Sequence, residues 1–524
     1  MVQQNAPDGG RGRAPTLPEP GGGGVLGRAK SWLAIAAAAA VATSGLVLVS
    51  SSAADARMAT GGSGKWRSMI SWMEWPGDST GKIAEGAVAQ TRQQIGNEVM
   101  TTSCTMTNIV ADDGAGDVFR YRSGSWQGDA LDDLYNIGGT GGNNQLVAGI
   151  SNGQNPRNPG TMSFHVACEA DVDGRPYPMQ GLVFADAEQN NYQPNGQQES
   201  ISATPDNPDD VTWRIMERTR TPGCNTGTWV SRYDDERLRM MSTTDQCSGS
   251  PGGPIVVSMM ENVESATFSL WSNNGAVSAL AIGVVHFADF GDAPESYGNA
   301  GALSSGMFQG GELPMGHTQA FGSAPADTTL AQPTPRLGDR LDPEANQRFS
   351  PDARGDDQNG ADDEDSIVIP ASLEAKRGQP FTSPEIKCVG PGDVAGWIDW
   401  NGNGTFDEGE RSNTVACGEG EETITLDWRV PGDATVGAST TFMRLRIADP
   451  GEAFGATGTT FSGEVEDYQV QTQVEDAPIA NDDRSDEHEV GETVTIPVLD
   501  NDTGNLDPST VNLVDPDSGE PVKE

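Results

Sequence analysis

The sequence predicts an all-β, multidomain chain, and three observations carry that prediction. At 524 residues the chain is longer than one hydrophobic core serves, so three or four domains are expected. Its 66 glycines and 33 prolines, with only 6% aromatic residues, favour many short strands joined by turns. No long stretch repeats its apolar residues at the helical period, whereas several short runs are continuous or alternating in the manner of strands.

At the N-terminus, Arg28 and Lys30 precede an apolar run over residues 32–49, and Ala54-Asp55-Ala56 follows as a small-x-small cleavage pattern. Residues 1–56 therefore read as a signal peptide with an extended polar N-region, which sends the rest of the chain to the secreted or cell-surface compartment. The run is 18 residues long, so an N-terminal membrane anchor is the alternative.

Residues 60–288 carry the β-type runs GLVFA (181–185), VTWRI (211–215), IVV (255–257) and ALAIGVV (279–285), separated by polar Asn/Gly/Asp stretches. This pattern suits a large sandwich. Near Asp289 the texture changes to Asp, Gly and Pro, and residues 289–475 form a second, acidic region. Within it VAGWI (394–398) and ETITLDW (422–428) are β-prone. Residues 476–524 form a third region with a strand expected at 493–499, too short to make a complete β-domain.

The formal net charge is −44. Residues 57–290 hold 15 Lys/Arg against 27 Asp/Glu, and residues 291–524 hold 13 against 46. Nucleic acid and anionic lipid are poor partners for such a chain, and an acidic half that holds metal is the reading that relieves its self-repulsion.

Residues 399–410, DWNGNGTFDEGE, match the template of a calcium loop. Asp399, Asn401, Asn403 and Asp407 offer side-chain oxygens, Thr405 its carbonyl and Glu410 two closing oxygens, while Gly404 permits the sharp turn. Hard oxygen donors suit Ca²⁺ better than zinc, and the β-prone flanks make the loop strand-bounded. A second ion is expected among Asp356, Asp357, Asp362, Asp363 and Asp365, which with Glu364 crowd into residues 356–365. Glu464, Glu466 and Asp467 either reach an ion or face water from an edge strand. Asp186 and Glu188 are candidates for a sugar or ion at a sandwich edge, and more commonly such residues cap a strand end. The Arg354-Gly355-Asp356 tripeptide is read as coincidence.

Six cysteines in an exported chain imply disulfides. Nearness and domain pair Cys388 with Cys417 and Cys224 with Cys247, and elimination leaves Cys104 with Cys168, although other connectivities remain open. The first pair would bracket the calcium loop. Four histidines, with Ser250 in GSPGGP lacking the surroundings of a catalytic serine, give no nucleophile–base–orienter set. The expectation is no enzyme and no small-molecule substrate.

These residues also carry a resemblance. The region leading into GVVHFADFGDAPESYG (283–298) resembles the non-repetitive, ligand-binding domain of CshA-type bacterial surface adhesins. The blocks DFGDAPESYG, LGDRLDPE (337–344), GDDQNGADDED (355–365), GWIDWNGNGTFDEGE (396–410) and GEVEDY (463–468) are similar to the GEVEDY domain of bacterial surface proteins. Residues 477–519 resemble the start of a CshA-type fibril repeat. The resemblance implies a lectin-like β-sandwich, then a β-sandwich stabilised by calcium, then a partial β-sandwich repeat. It also implies adhesion to a host matrix glycoprotein, fibronectin in the best-known member, or to a glycan, from the cell wall.

Overall fold

The structure is a computed structural model describing residues 54–55, 57–112, 117–121, 131, 134–137, 149–152, 160–187, 199–220, 228–232, 237–242, 255–272, 278–319, 326–355, 363–504 and 506–512. Strands dominate it, as the composition predicts. Among the described residues no helix is long and apolar enough to cross a membrane. The predicted signal segment through residue 53 lies outside the described residues.

The head is a sandwich of a ten-stranded and a nine-stranded sheet. The two sheets differ in a way already written in their residues. In the ten-stranded sheet, strands Gly160–Val172 and Ser265–Ser272 alternate buried and half-buried positions, because one face packs inward and the other meets water. In the nine-stranded sheet, Gly181–Asp186 and Ala279–Val285 are buried at every position. Their continuous apolar runs are the signature of a sheet covered on both faces. One cover is the inter-sheet core, where Phe164 and Phe268 meet Phe184 and Trp213. The other is a second apolar layer of Trp66, Trp72, Tyr135, Phe287 and Phe308 over Val183, Val257 and Ala281.

Past the head, Ala288–Phe290 pairs with Ala300–Leu303, which pairs in parallel with Gly458–Thr460. This small sheet joins the head's exit to the far end of the acidic domain. That domain is built on a five-stranded sheet in the order Leu373–Lys376, Glu464–Glu475, Gly437–Ala448, Gly392–Ile398, Val415–Cys417. Smaller sheets pack against it over a core that includes Trp400, Trp428, Leu445 and Ile447. Cys388 is bonded to Cys417 at this core, and in the head Cys104 is bonded to Cys168 directly across its strand pair. Cys224 and Cys247 lie outside the described residues.

Two strand expectations change. The run 422–428 divides into Glu421–Ile424 and Asp427–Arg429, which belong to different sheets, because Leu426 turns inward and donates its N–H to Ser383 Oγ at 3.0 Å. The strand expected at 493–499 does not form. Val494 and Ile496 are 38% and 41% exposed, and the described pairing nearby is a single bridge between Ile479 and Thr503. β-propensity needs a neighbouring strand to bond, and none lies alongside this run among the described residues.

Reduction of the Cys388–Cys417 bond tests how far it holds the acidic domain together. The bond closes a loop with a sequence separation of 29. Cys388→Ala with Cys417→Ala should lower the unfolding free energy of the domain by about 3 kcal/mol in a denaturant titration. A midpoint equal to that of the parent would mean the packed core alone defines it.

Candidate functional site

The loop 399–410 leaves the buried strand Gly392–Ile398, and Asp399 sits at its floor, 1% exposed. Asp399 is saturated with donors. Its Oδ1 accepts the N–H groups of Gly402 (2.7 Å) and Asn403 (3.2 Å), and its Oδ2 accepts Gly404 N–H (3.0 Å) and the Tyr297 hydroxyl (2.7 Å). Gly404, at φ +83°, makes the turn that aims these N–H groups inward. Glu410, also 1% exposed, closes the far end: Oε1 accepts from Trp400 (2.8 Å) and Asn401 (3.3 Å), and Oε2 from Asp407 N–H (3.0 Å). Burial pushes the Glu410 carboxyl up to about 7 despite those N–H donors, with Asp399 nearby adding to the effect. On the outer side Asn403 Nδ2 donates to Asp407 Oδ2 at 2.8 Å, and Thr405 donates to Asn403 Oδ1 from both its N–H (2.9 Å) and its hydroxyl (2.7 Å).

The six residues are therefore brought into one wound loop, with Asp399 and Glu410 turned onto its backbone and Asn403, Thr405 and Asp407 on its exposed side. One group of three carboxylates with oxygens within 4.8 Å of one another occurs among the described residues, and it lies elsewhere: Asp289, Asp363 and Glu464, all buried. Asp363 thus joins this cluster, while Asp356, Asp357 and Asp362 lie outside the described residues. Asp365 stands apart and accepts Asp339 N–H at 2.6 Å.

The acids of the GEVEDY strand do not face water. Glu464, Glu466 and Asp467 are 1%, 2% and 1% exposed. Each is answered by a different segment. Arg444 forms a two-pronged pair with Asp467, Nε to Oδ1 and Nη2 to Oδ2 both at 2.7 Å, with neither side chain exposed. Asp467 Oδ2 also accepts Ala293 N–H at 2.8 Å. Arg446 spreads its guanidinium over the carbonyls of Gly455 (2.8 Å) and Gly301 (3.0 Å). Glu466 accepts Ser366 N–H (3.2 Å), the Ser366 hydroxyl and the Tyr468 hydroxyl (2.9 Å). The sequence signal for this burial is Arg444 and Arg446 alternating within the otherwise apolar run 442–448, since a guanidinium taken inside a domain needs an acid or carbonyls to meet it.

Where the head meets residues 342–348, a cavity of about 830 Å³ opens. Lys65, Arg67, Arg92 and Arg348 line it against Asp342 and Glu344. Arg92 and Arg348 are exposed, and Gln93 Nε2 bridges the two walls by donating to Ala345 O at 2.9 Å. Nearby, Thr459 Oγ1 donates to Ile95 O, and Phe461 stacks on Tyr177 with ring centroids 6.0 Å apart.

Elsewhere in the head, His165 Nε2 lies 2.8 Å from Asp206 Oδ2, the same oxygen that receives the Ser265 hydroxyl at 2.7 Å. His286 is fully buried, pushed down to about 4 by that burial, and contacts Thr102 Oγ1 at 3.2 Å. Asp186 is buried; Glu188, Ser250, and Asp356 of the Arg354-Gly355-Asp356 tripeptide lie outside the described residues.

Comparison with known proteins gives two family matches. Residues 68–285 match the surface adhesin CshA non-repetitive domain 2, and residues 393–471 match the GEVED domain. No curated protein matches the chain. Among solved structures, the N-terminal domain of the Streptococcus gordonii adhesin Sgo0707 aligns with 81% of this chain and 96% of its own at 9% identity, with a TM-score of 0.27 that carries no argument.

Breaking the Arg444–Asp467 pair from one side leaves a buried charge uncompensated. Asp467→Ala should destabilise the acidic domain by roughly 3–5 kcal/mol. The double change Asp467→Leu with Arg444→Met should recover most of that loss in the same denaturant titration. A loss under about 1 kcal/mol for the single variant would contradict the buried pairing.

Proposed function

We propose that this chain, which belongs to the CshA-type surface adhesins, binds an anionic glycan of a host matrix or neighbouring-cell glycoprotein through its head. The observation that carries this reading is the gathering of Lys65, Arg67, Arg92 and Arg348 on one cavity of a chain whose net charge is −44. A protein that repels anions in general needs a local positive field to hold one. The match of residues 68–285 to an adhesin domain supports placing recognition in the head. The chain is exported and acts at the cell surface, with residues 1–56 as its signal.

The reading is non-enzymatic. Ser265 gives its hydroxyl proton to Asp206 and not to His165, so this trio does not form the relay a serine nucleophile requires. His286 is out of reach of any substrate inside the sandwich.

Ca²⁺ on the loop 399–410 belongs to the same reading. Asp399 and Glu410 already organise the backbone, and Asn401, Asn403, Asp407 and the Thr405 carbonyl supply the hard oxygens of a calcium shell. Glu410 Oε2 accepts a single N–H and keeps a lone pair for a cation, whereas both oxygens of Asp399 are filled by loop and Tyr297 donors. Such an ion would stiffen the domain that carries the head away from the cell.

Two outcomes follow. In a solid-phase assay the chain should bind sialylated or sulfated glycoprotein, more weakly as salt rises. Arg92→Ala with Arg348→Ala should weaken binding about tenfold, the equivalent of ~1.4 kcal/mol. Binding indifferent to desialylation, desulfation and these changes would remove the cavity from the account. For the loop, ~1 mM Ca²⁺ should stabilise the chain over chelator by roughly 1.4 kcal/mol per site if the affinity is that of extracellular modules, about 10⁻⁴ M. Asp407→Ala should lose the loop's part of that gain, and an undiminished gain would count against an ion there.

A further inference from the structure

We propose that Asp289, Asp363 and Glu464 form a second Ca²⁺ site, separate from the loop 399–410, that pins the exit of the head to the acidic domain. The three residues come from distant segments. Asp289 is on the short strand Ala288–Phe290 that follows the head, Asp363 is in the acidic run 356–365, and Glu464 opens the strand Glu464–Glu475. One oxygen from each lies within 4.8 Å of the others. A calcium ion held at 2.3–2.6 Å from its ligands accommodates oxygens up to about 5 Å apart, so the spacing fits a single shell.

The second observation is an orphaned atom. Glu464 is 1% exposed; its Oε2 accepts Leu337 N–H at 2.6 Å, and its Oε1 has no hydrogen-bond partner. An unsatisfied carboxylate oxygen in a buried site needs a cation or a proton. No guanidinium meets it from the neighbouring strand. Arg444 stands opposite Asp467 and Arg446 opposite Val465, whereas Glu464 stands opposite Ile447, so both arginines lie on the other face of the sheet. Asp289 and Asp363 crowd the same buried site, where uncompensated negative charge is costly. A divalent ion reverses that cost and accounts for all three acids at once, and their all-oxygen chemistry selects Ca²⁺ over zinc.

The site would also organise backbone. Asp289 Oδ2 accepts Val465 N–H at 2.7 Å and Asp363 Oδ2 accepts Asp342 N–H at 2.9 Å, so an ion here fixes the head's exit strand, the GEVEDY strand and the 337–342 segment together.

The test uses the whole chain, stripped with EDTA and titrated with CaCl₂ by calorimetry and equilibrium dialysis. Glu464→Gln, which keeps the shape and removes the charge, should bind one Ca²⁺ fewer per chain, or bind that ion at least tenfold more weakly. Asp407→Ala should retain it, which separates this site from the loop. In EDTA, Glu464→Gln should melt no lower than the parent, since its apo state carries one buried charge less. Asp363→Asn makes the same comparison should the first variant lose its near-UV circular dichroism. The proposal is overturned if the Asp407→Ala chain binds no Ca²⁺, or if Glu464→Gln and Asp363→Asn keep the parent's stoichiometry and calcium-dependent melting. That second result would mean Glu464 is neutralised by a proton.

Discussion

The acidic domain is organised around charge that has been taken out of water. Placing Glu464, Glu466 and Asp467 on a buried strand would be ruinous if each were left alone, because an isolated buried carboxylate costs several kcal/mol. Each acid therefore dictates what must lie beside it. Asp467 requires Arg444, Glu466 requires Ser366 and Tyr468, and Glu464 requires Leu337 N–H and something more. Those partners come from before and after the loop 399–410. The charge network is thus what brings the termini of the domain into one body, while the apolar core of Trp400, Trp428, Leu445 and Ile447 supplies the bulk of the burial.

The same logic extends to the junction with the head. Arg446 reaches Gly301 O on the small connecting sheet, and Asp467 accepts Ala293 N–H just past the head's exit. Thr459, on the strand Gly458–Thr460, and Phe461 just after it then touch the head itself at Ile95 and Tyr177. A single stretch of the acidic domain consequently carries both its internal pairing and its contact with the head. The cavity lined by Lys65, Arg67, Arg92 and Arg348 opens between these same surfaces, so its shape depends on their staying together.

Much of the head was legible in the sequence, because burial there is a local matter. The fully apolar run over Ala279–Val285 announces a strand covered on both faces, and the structure covers it so. The turn at Gly404 and the inward carboxylate of Asp399 are likewise set by residues a few positions apart. The acids of the GEVEDY strand read equally well as a solvated edge, since the arginines that bury them lie about twenty positions away and the register of the pairing is invisible until the strands meet. The run 493–499 makes the converse point. Its β-branched residues favour a strand although Pro497 interrupts them, and among the described residues no partner lies alongside to accept its hydrogen bonds.

The arrangement has a mechanical consequence. Tension drawn between the head and the far end of the acidic domain would pass through residues 288–303 and the strand Glu464–Glu475. Between them stand the parallel pairing of Ala300–Leu303 with Gly458–Thr460, the Arg446–Gly301 hydrogen bond, and the acids Asp289 and Glu464 facing one another. Backbone bonds between short strands are individually weak and exchange with water once an edge frays. Repulsion between the two buried carboxylates, were both ionised, would open the joint further unless a cation or a proton sits between them. At a cell surface, an ion bound here at extracellular calcium levels would hold the joint closed.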